Sequence, residues 1–200
     1  MTADLGAEDY YADRAFKGIT WERDRLVSVE FDQCTFIDCS FVESQFVNCR
    51  FSECTFQRCD LTMVQLTGSL FAGPIFEESK LVGIDWTLAA WPPLRLRNTL
   101  RFSRCAMGHS TFIGLKLSRM QLIGCTATNA DFREADLSKA DLSGTDFSAS
   151  MFYHTELAGA DLSLARNYQI RPADNNLKGA KFSLPEAITL LHNLDIRLVD

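Results

Sequence analysis

The side chains best equipped for chemistry are seven cysteines. Five crowd into one stretch, Cys34, Cys39, Cys49, Cys54 and Cys59, and Cys105 and Cys125 follow at a distance. Such a set might hold zinc, form disulfides or supply a reactive thiolate. Zinc favours close pairs of the C-x2-C kind, because two ligands on one tight turn share a tetrahedral ion. Here the spacing is C-x4-C, and no histidines complete a set. His109, His154 and His192 have neither a nucleophile nor a metal partner at a useful spacing. There is no glycine-rich phosphate loop. The expectation is a protein with no catalytic residues, no metal and no cofactor, hence not an enzyme.

A repeat decides what the cysteines do. Every fifth residue from Phe31 to Trp86 is Phe, Leu or Trp. The phase slips by one residue near Leu96. It resumes from Phe102 to Leu162, where only Met107 and Ala127 depart from Phe or Leu. A period of five is neither helical nor that of a simple strand. Two residues before each bulky centre stands a small residue, usually Cys, Ser, Ala or Thr, and all seven cysteines occupy this slot. Residues two apart in an extended chain share a face. Each pentad therefore directs one large and one small side chain inward. A free cysteine in that slot behaves as a small hydrophobe.

Four such pentads close a square coil with a bend at each corner. Coils stacked at the strand spacing of about 4.8 Å give about eight turns. Phe31, Phe51 and Phe71 then lie over one another, as do Phe112, Phe132 and Phe152. The phase slip falls in DWTLAAWPPLRLRNTLRF, residues 85–102. Trp91, Pro92 and Pro93 are expected to form a kink or bulge joining two blocks, at about 12–96 and 98–166. Proline fixes its own φ and restricts the residue before it. The Trp91–Pro92 bond admits cis, with trans the default.

The repeat domain is expected to span residues 1–182, and a C-terminal helix and tail residues 183–200. Ser183 with Glu186 reads as a capping box, and Pro185 suits a first helical turn. Leu184, Ala187, Ile188, Leu191 and Leu194 follow helical spacing, and Leu190, Ile196 and Leu198 widen the apolar surface. That surface suits both a cap on the open coil edge and a homodimer contact.

The chain has 200 residues and a formal net charge of -6. An acidic balance argues against direct nucleic-acid binding. The N-terminus resembles no signal peptide, and no apolar run suits a membrane span. The expected location is the cytoplasm, where thiols stay reduced.

The pentads of ADFREADLSKADLSGTDFSAS resemble those of pentapeptide-repeat proteins, over about residues 12–182. The resemblance implies an all-β fold, a right-handed quadrilateral β-helix. The DWT-x-A-x-WP junction (Asp85 to Pro92), Asn167–Tyr168 and SLPEA-x-x-LL-x-x-LDI (Ser183 to Ile196) narrow it. They resemble the group that protects bacterial type II topoisomerases, whose members include quinolone-resistance, microcin-immunity and albicidin-resistance proteins, the last looking nearest. The group implies a homodimer that mimics DNA and binds DNA gyrase, with topoisomerase IV as a further partner. It also implies resistance to poisons such as albicidin or quinolones.

Charge is unevenly spread. Residues 87–125 hold no acid and six bases, Arg95, Arg97, Arg101, Arg104, Lys116 and Arg119. Residues 126–165 are acidic. Asp131, Asp136, Asp141, Asp146, Glu156 and Asp161 each precede a centre and are expected to point outward. They suit a solvated surface, or, with the resemblance, an imitation of DNA phosphates. A passive scaffold or regulatory binding module is the alternative function. The basic band departs from a uniformly acidic mimic.

Overall fold

The computed structural model describes residues 8–91, 99–192 and 194. The chain winds into a parallel β-solenoid of about 8 turns, the architecture expected from the repeat. On one side Tyr10–Ala12, Glu30–Asp32, Arg50–Ser52 and Leu70–Ala72 form a parallel sheet. On the next side six strands pair in parallel, from Ala15–Lys17 through Thr35–Ile37, Thr55–Gln57, Ile75–Glu77 and Arg101–Ser103 to Gln121–Ile123. Single parallel bridges continue the ladders upward, as in Lys116↔Asp136, Asp136↔Glu156 and Asp141↔Asp161.

The bulky centres fill the square interior. Phe36, Phe56 and Phe76 are almost fully buried, and their rings stack at 4.7 and 4.9 Å. Rings in neighbouring columns meet edge-on, as Phe31 meets Phe36 at 71°. Both arrangements suit the ring quadrupole. Except at Leu88, the position two after a centre turns the corner with a left-handed φ, from Asp13 (52°) to Leu164 (60°). His109 and His154 occupy such corners and are exposed.

The phase slip does not interrupt the stack of coils. Phe76 pairs with Phe102 and stacks on it at 5.0 Å, so the column continues across the interruption. The coil containing it has 26 residues between stacked positions, where others have 20. The phase slip is therefore absorbed in one side of one coil. Trp91 is half-buried against the core and donates its indole N–H to the Trp86 carbonyl at 3.1 Å. Pro92 and Pro93 lie outside the described residues.

The cysteines are free and buried, as the slot requires. They are also hydrogen-bonded. The thiols of Cys34, Cys54 and Cys59 each donate to the carbonyl of a centre in the coil below, Tyr11, Phe31 and Phe36, at 3.4 Å. Burial pushes the Cys34 and Cys49 thiols up, and that of Cys54 up to about 12. Cys59 and Cys125 are raised by the thiols of Cys39 and Cys105 beside them and by burial. The same two contacts lower the Cys39 and Cys105 thiols, whereas the raised thiols form little thiolate at neutral pH.

The corners are of two kinds. At some the slot residue's own N–H closes a tight turn onto the preceding centre, as in Ser44 to Phe41, Ser69 to Leu66, Ala135 to Phe132, Ala140 to Leu137 and Ala160 to Leu157, at 2.9 to 3.2 Å. At others a side chain from the coil above spans the gap. The Ser69 hydroxyl accepts from the Cys49 N–H at 2.9 Å and donates to the Phe46 carbonyl at 2.9 Å. Ser79 does the same between Cys59 and Phe56, and Thr145 between Cys125 and Leu122. Either way a buried N–H and C=O are satisfied.

Among the described residues at the C-terminal end, a helix spans Ile188–His192. The capping box is not formed. The Ser183 hydroxyl accepts from the Leu164 N–H at 3.1 Å, and the Glu186 carboxylate accepts from the Asn167 N–H. Elsewhere these corner and centre N–H groups bond to a carbonyl nineteen residues on, as Gly144 does to Ser163 and Phe147 to Arg166. Ser183 and Glu186 supply side-chain oxygens at that same offset. The open coil edge has outcompeted the helix N-terminus for these acceptors.

Candidate partner-binding face

Coil register places the six acids. Asp136 and Glu156 pair up one side, Asp141 and Asp161 up the next, and Thr126, Asp146 and Arg166 up a third. Asp131 stands on the fourth side, between Thr111 and Met151. The two acidic ladders thus share adjacent sides, and Asp146 and Asp131 lie apart from them.

The acids are not simple outward charges. Each carboxylate accepts the N–H of the residue two ahead: Arg133 for Asp131, Ser138 for Asp136, Ser143 for Asp141, Ser148 for Asp146, Ala158 for Glu156 and Ser163 for Asp161. This local bond folds the side chain back against its corner. Asp131 departs most from expectation. It is buried, at 7% exposure, because the Arg133 guanidinium grips both its oxygens at 2.7 to 3.0 Å.

Cations one coil above neutralise two more. Arg166 pairs with Asp146 and Lys181 with Asp161, both at 3.0 Å. Hydrogen bonds from Ser163 and the Lys181 ammonium hold the Asp161 carboxyl down at about 2. Partial burial works against Asp146, but Ser148, Asn167 and Arg166 hold its carboxyl well below the usual range. Among the described residues, Asp136, Asp141 and Glu156 enter no ion pair. The uncompensated charge on this face is narrower than the sequence implies, and it centres on those three. The signal that would have revealed this is a cation twenty residues after an acid.

The apolar C-terminal surface also divides. Leu190 packs against the core, and Ala187 is half-buried. Leu184, Ile188, Leu191 and Leu194 are exposed. Ile196 and Leu198 lie outside the described residues. Among the described residues no group of three or more His, Cys, Asp or Glu is placed to hold a metal. No helix there is long and apolar enough to cross a membrane.

Such a rod, with a filled interior and side chains presented in ladders, is a β-solenoid whose accessible chemistry lies on its sides. Residues 29–100 match the family described as pentapeptide repeat region, and residues 101–144 and 130–166 match pentapeptide repeats (8 copies). The chain belongs to the pentapeptide-repeat proteins. A search of curated protein sequences finds no match. Among solved structures, a trypsin-treated variant of QnrB1, a plasmid-mediated fluoroquinolone resistance protein, is similar at 19% identity with a TM-score of 0.76. That match covers 96% of this chain and 99% of that one. A second trypsin-treated variant gives 19% identity and 0.64, over 95% and 100% of the two chains. Full-length QnrB1 gives 20% and 0.54, over 94% and 100%. At these identities the likeness is one of fold.

Proposed function

We propose that this protein binds DNA gyrase, and by extension topoisomerase IV, and protects it from a topoisomerase poison such as albicidin or a quinolone. The observation that carries the reading is the pair of adjacent acidic ladders around Asp136, Asp141 and Glu156. Carboxylates repeated at the coil spacing of about 4.8 Å offer a regular line of negative charge to a basic, DNA-binding surface. The sequence resemblance at the junction and the C-terminus supports a topoisomerase partner, with the albicidin-resistance proteins nearest. The fold of a fluoroquinolone resistance protein, matched along nearly its whole length, supports a resistance role. Asp131, Asp146 and Asp161 serve mainly to hold their own coils.

A second copy would dock through Leu184, Ile188, Leu191 and Leu194, whose exposed apolar side chains lack cover in one chain. Replacing Leu191 with Asp is expected to give monomers in sedimentation, and a persistent dimer refutes this contact.

Plasmid supercoiling by purified gyrase tests the function. With albicidin or a quinolone present, the protein should restore supercoiling, and Asp136→Lys with Glu156→Lys should abolish the rescue while the circular-dichroism melt stays unchanged. Rescue by that variant would reject the acidic ladders as the binding face. No effect of the wild-type protein, with or without drug, would favour the scaffold or regulatory module.

A further inference from the structure

The basic band has a structural counterpart. At the edge between the two acidic sides, a groove of about 510 Å³ is lined by Glu53, Thr99, Arg101, Arg119 and Gln121. Among the described residues most guanidinium groups are in ion pairs, as Arg23 is with Glu43, Arg58 with Asp38, Arg104 with Glu78 and Arg133 with Asp131, whereas Arg25, Arg50, Arg101 and Arg119 are not. Among the described residues, Arg101 and Arg119 have no hydrogen-bond or ion-pair partner for their side chains, and Lys116 and Lys139 enter no ion pair. Glu53 stands at the groove's rim and, among the described residues, enters no ion pair. Its carboxylate lies over Gly73, where a Cβ would collide with it. The left-handed φ of 66° and the missing side chain at Gly73 leave that path open.

We infer that Arg101 and Arg119 form a receptor for an acidic side chain on the surface of a protein partner. Two unpaired guanidiniums offer forked donors that match a carboxylate, and the Thr99 hydroxyl and Gln121 amide add neutral donors. The surroundings decide between a protein and a nucleic acid. One coil above, Lys116 gives way to Asp136 and Gln121 to Asp141. That step is about 4.8 Å, well within the screening length of about 8 Å. Duplex DNA carries a charge every 1.7 Å or so, and a phosphate line laid in the groove would run into these carboxylates. A single acidic side chain fits one coil's height. The face is therefore dipolar, a basic notch against an acidic ladder, and it fixes which way the rod lies on its partner. The receptor itself stands on the geometry of the groove; its placement on gyrase rests on the function proposed above.

The test uses the full chain and a capped Gly-Asp-Glu-Gly peptide, followed by the arginine Nε–H resonances in NMR at low salt. The resonances of Arg101 and Arg119 should shift and saturate, whereas those of Arg58 and Arg104, already paired, should not. Arg119→Ala should weaken the response at Arg101 at least about fivefold. No shift, equal shifts at all arginines, or tighter binding of a short duplex DNA to the same two residues would each overturn the inference. A second arm measures binding to purified gyrase, where Arg101→Glu with Arg119→Glu should lose about tenfold. If the peptide binds and wild-type protein does not bind gyrase, the gyrase reading fails alone. If wild type and this variant bind gyrase equally and the peptide gives no shift, the receptor fails alone.

Discussion

The coils built on Phe31 to Phe76 and those built on Phe132 to Leu162 keep the same square section by different means. In the first group the interior is stacked phenylalanine, and the corners lean on thiols and hydroxyls reaching down from the next coil. In the second, Leu137, Leu142, Leu157 and Leu162 replace much of the aromatic column, and the alanine slots Ala135, Ala140 and Ala160 close their corners within their own turns, although Thr145, Ser150 and Thr155 still donate to carbonyls of the coil below. The first half binds coil to coil through its interior. The second relies less on ring stacking between coils. Both carry coil-to-coil ion pairs on the outside, Asp38 with Arg58 and Asp60 with Lys80 in the first, Asp146 with Arg166 and Asp161 with Lys181 in the second.

Four experiments sharpen or break this contrast. Phe56→Ala should have the largest effect, a loss of about 3–5 kcal/mol in chemical denaturation, since its ring contacts others above, below and beside it. Leu142→Ala, in the other half, should cost less; equal losses would mean that the two interiors are energetically alike. Ser69→Ala removes the hydroxyl between Cys49 and Phe46 and should cost about 1–3 kcal/mol, because both backbone groups lose their bridge. A loss near zero would indicate that the corner simply closes as an alanine corner does, and the distinction would dissolve.

Acid should act first on the second half. The Asp161 carboxyl lies at about 2 when folded, against about 3.9 unfolded, so its contribution is complete above pH 4 and is lost as the pH falls through 2. Asp146 is depressed in the same direction. In the first half Asp38 is lowered too, by its hydrogen bond from Arg58, and Asp60, against partial burial, by those from Thr62 and Lys80. Amide exchange should therefore loosen first around residues 146–183 on acidification; earlier loosening of the phenylalanine-stacked coils would contradict the division. The smallest effect is expected for Lys80→Ala, which breaks a mostly exposed pair with Asp60 and should cost below about 1 kcal/mol in the same denaturation assay.

Much of this was legible in the sequence, and the limits have a common cause. The period of five, the inward slots and the cysteines' burial follow from residue types a few positions apart. What a slot cysteine bonds to does not, because its acceptor lies twenty-three residues back, as Phe31 does from Cys54. The period also places each acid on its side of the coil, but Asp131 looks outward until Arg133 grips it, and Asp161 looks free until Lys181 is placed one coil above it. Ser183 and Glu186 misled for the opposite reason. A local rule assigned them to the helix, while backbone donors at Leu164 and Asn167, distant in sequence, took both oxygens. The insertion after Ala90 was visible as a slip of phase, and only pairing across it, Phe76 with Phe102, revealed that the column runs straight on.

Those two side chains have a further consequence. A stack of in-register coils is a one-dimensional crystal, and its last layer is a growth face that fits any strand of matching repeat. Ser183 and Glu186 act there as an impurity acts on a crystal: they adsorb at lattice positions and offer no layer for the next unit to join. Growth over Leu164 and Asn167 is thereby stopped chemically. A chain lacking these two oxygens would expose the Leu164 and Asn167 N–H groups as a seed for filaments.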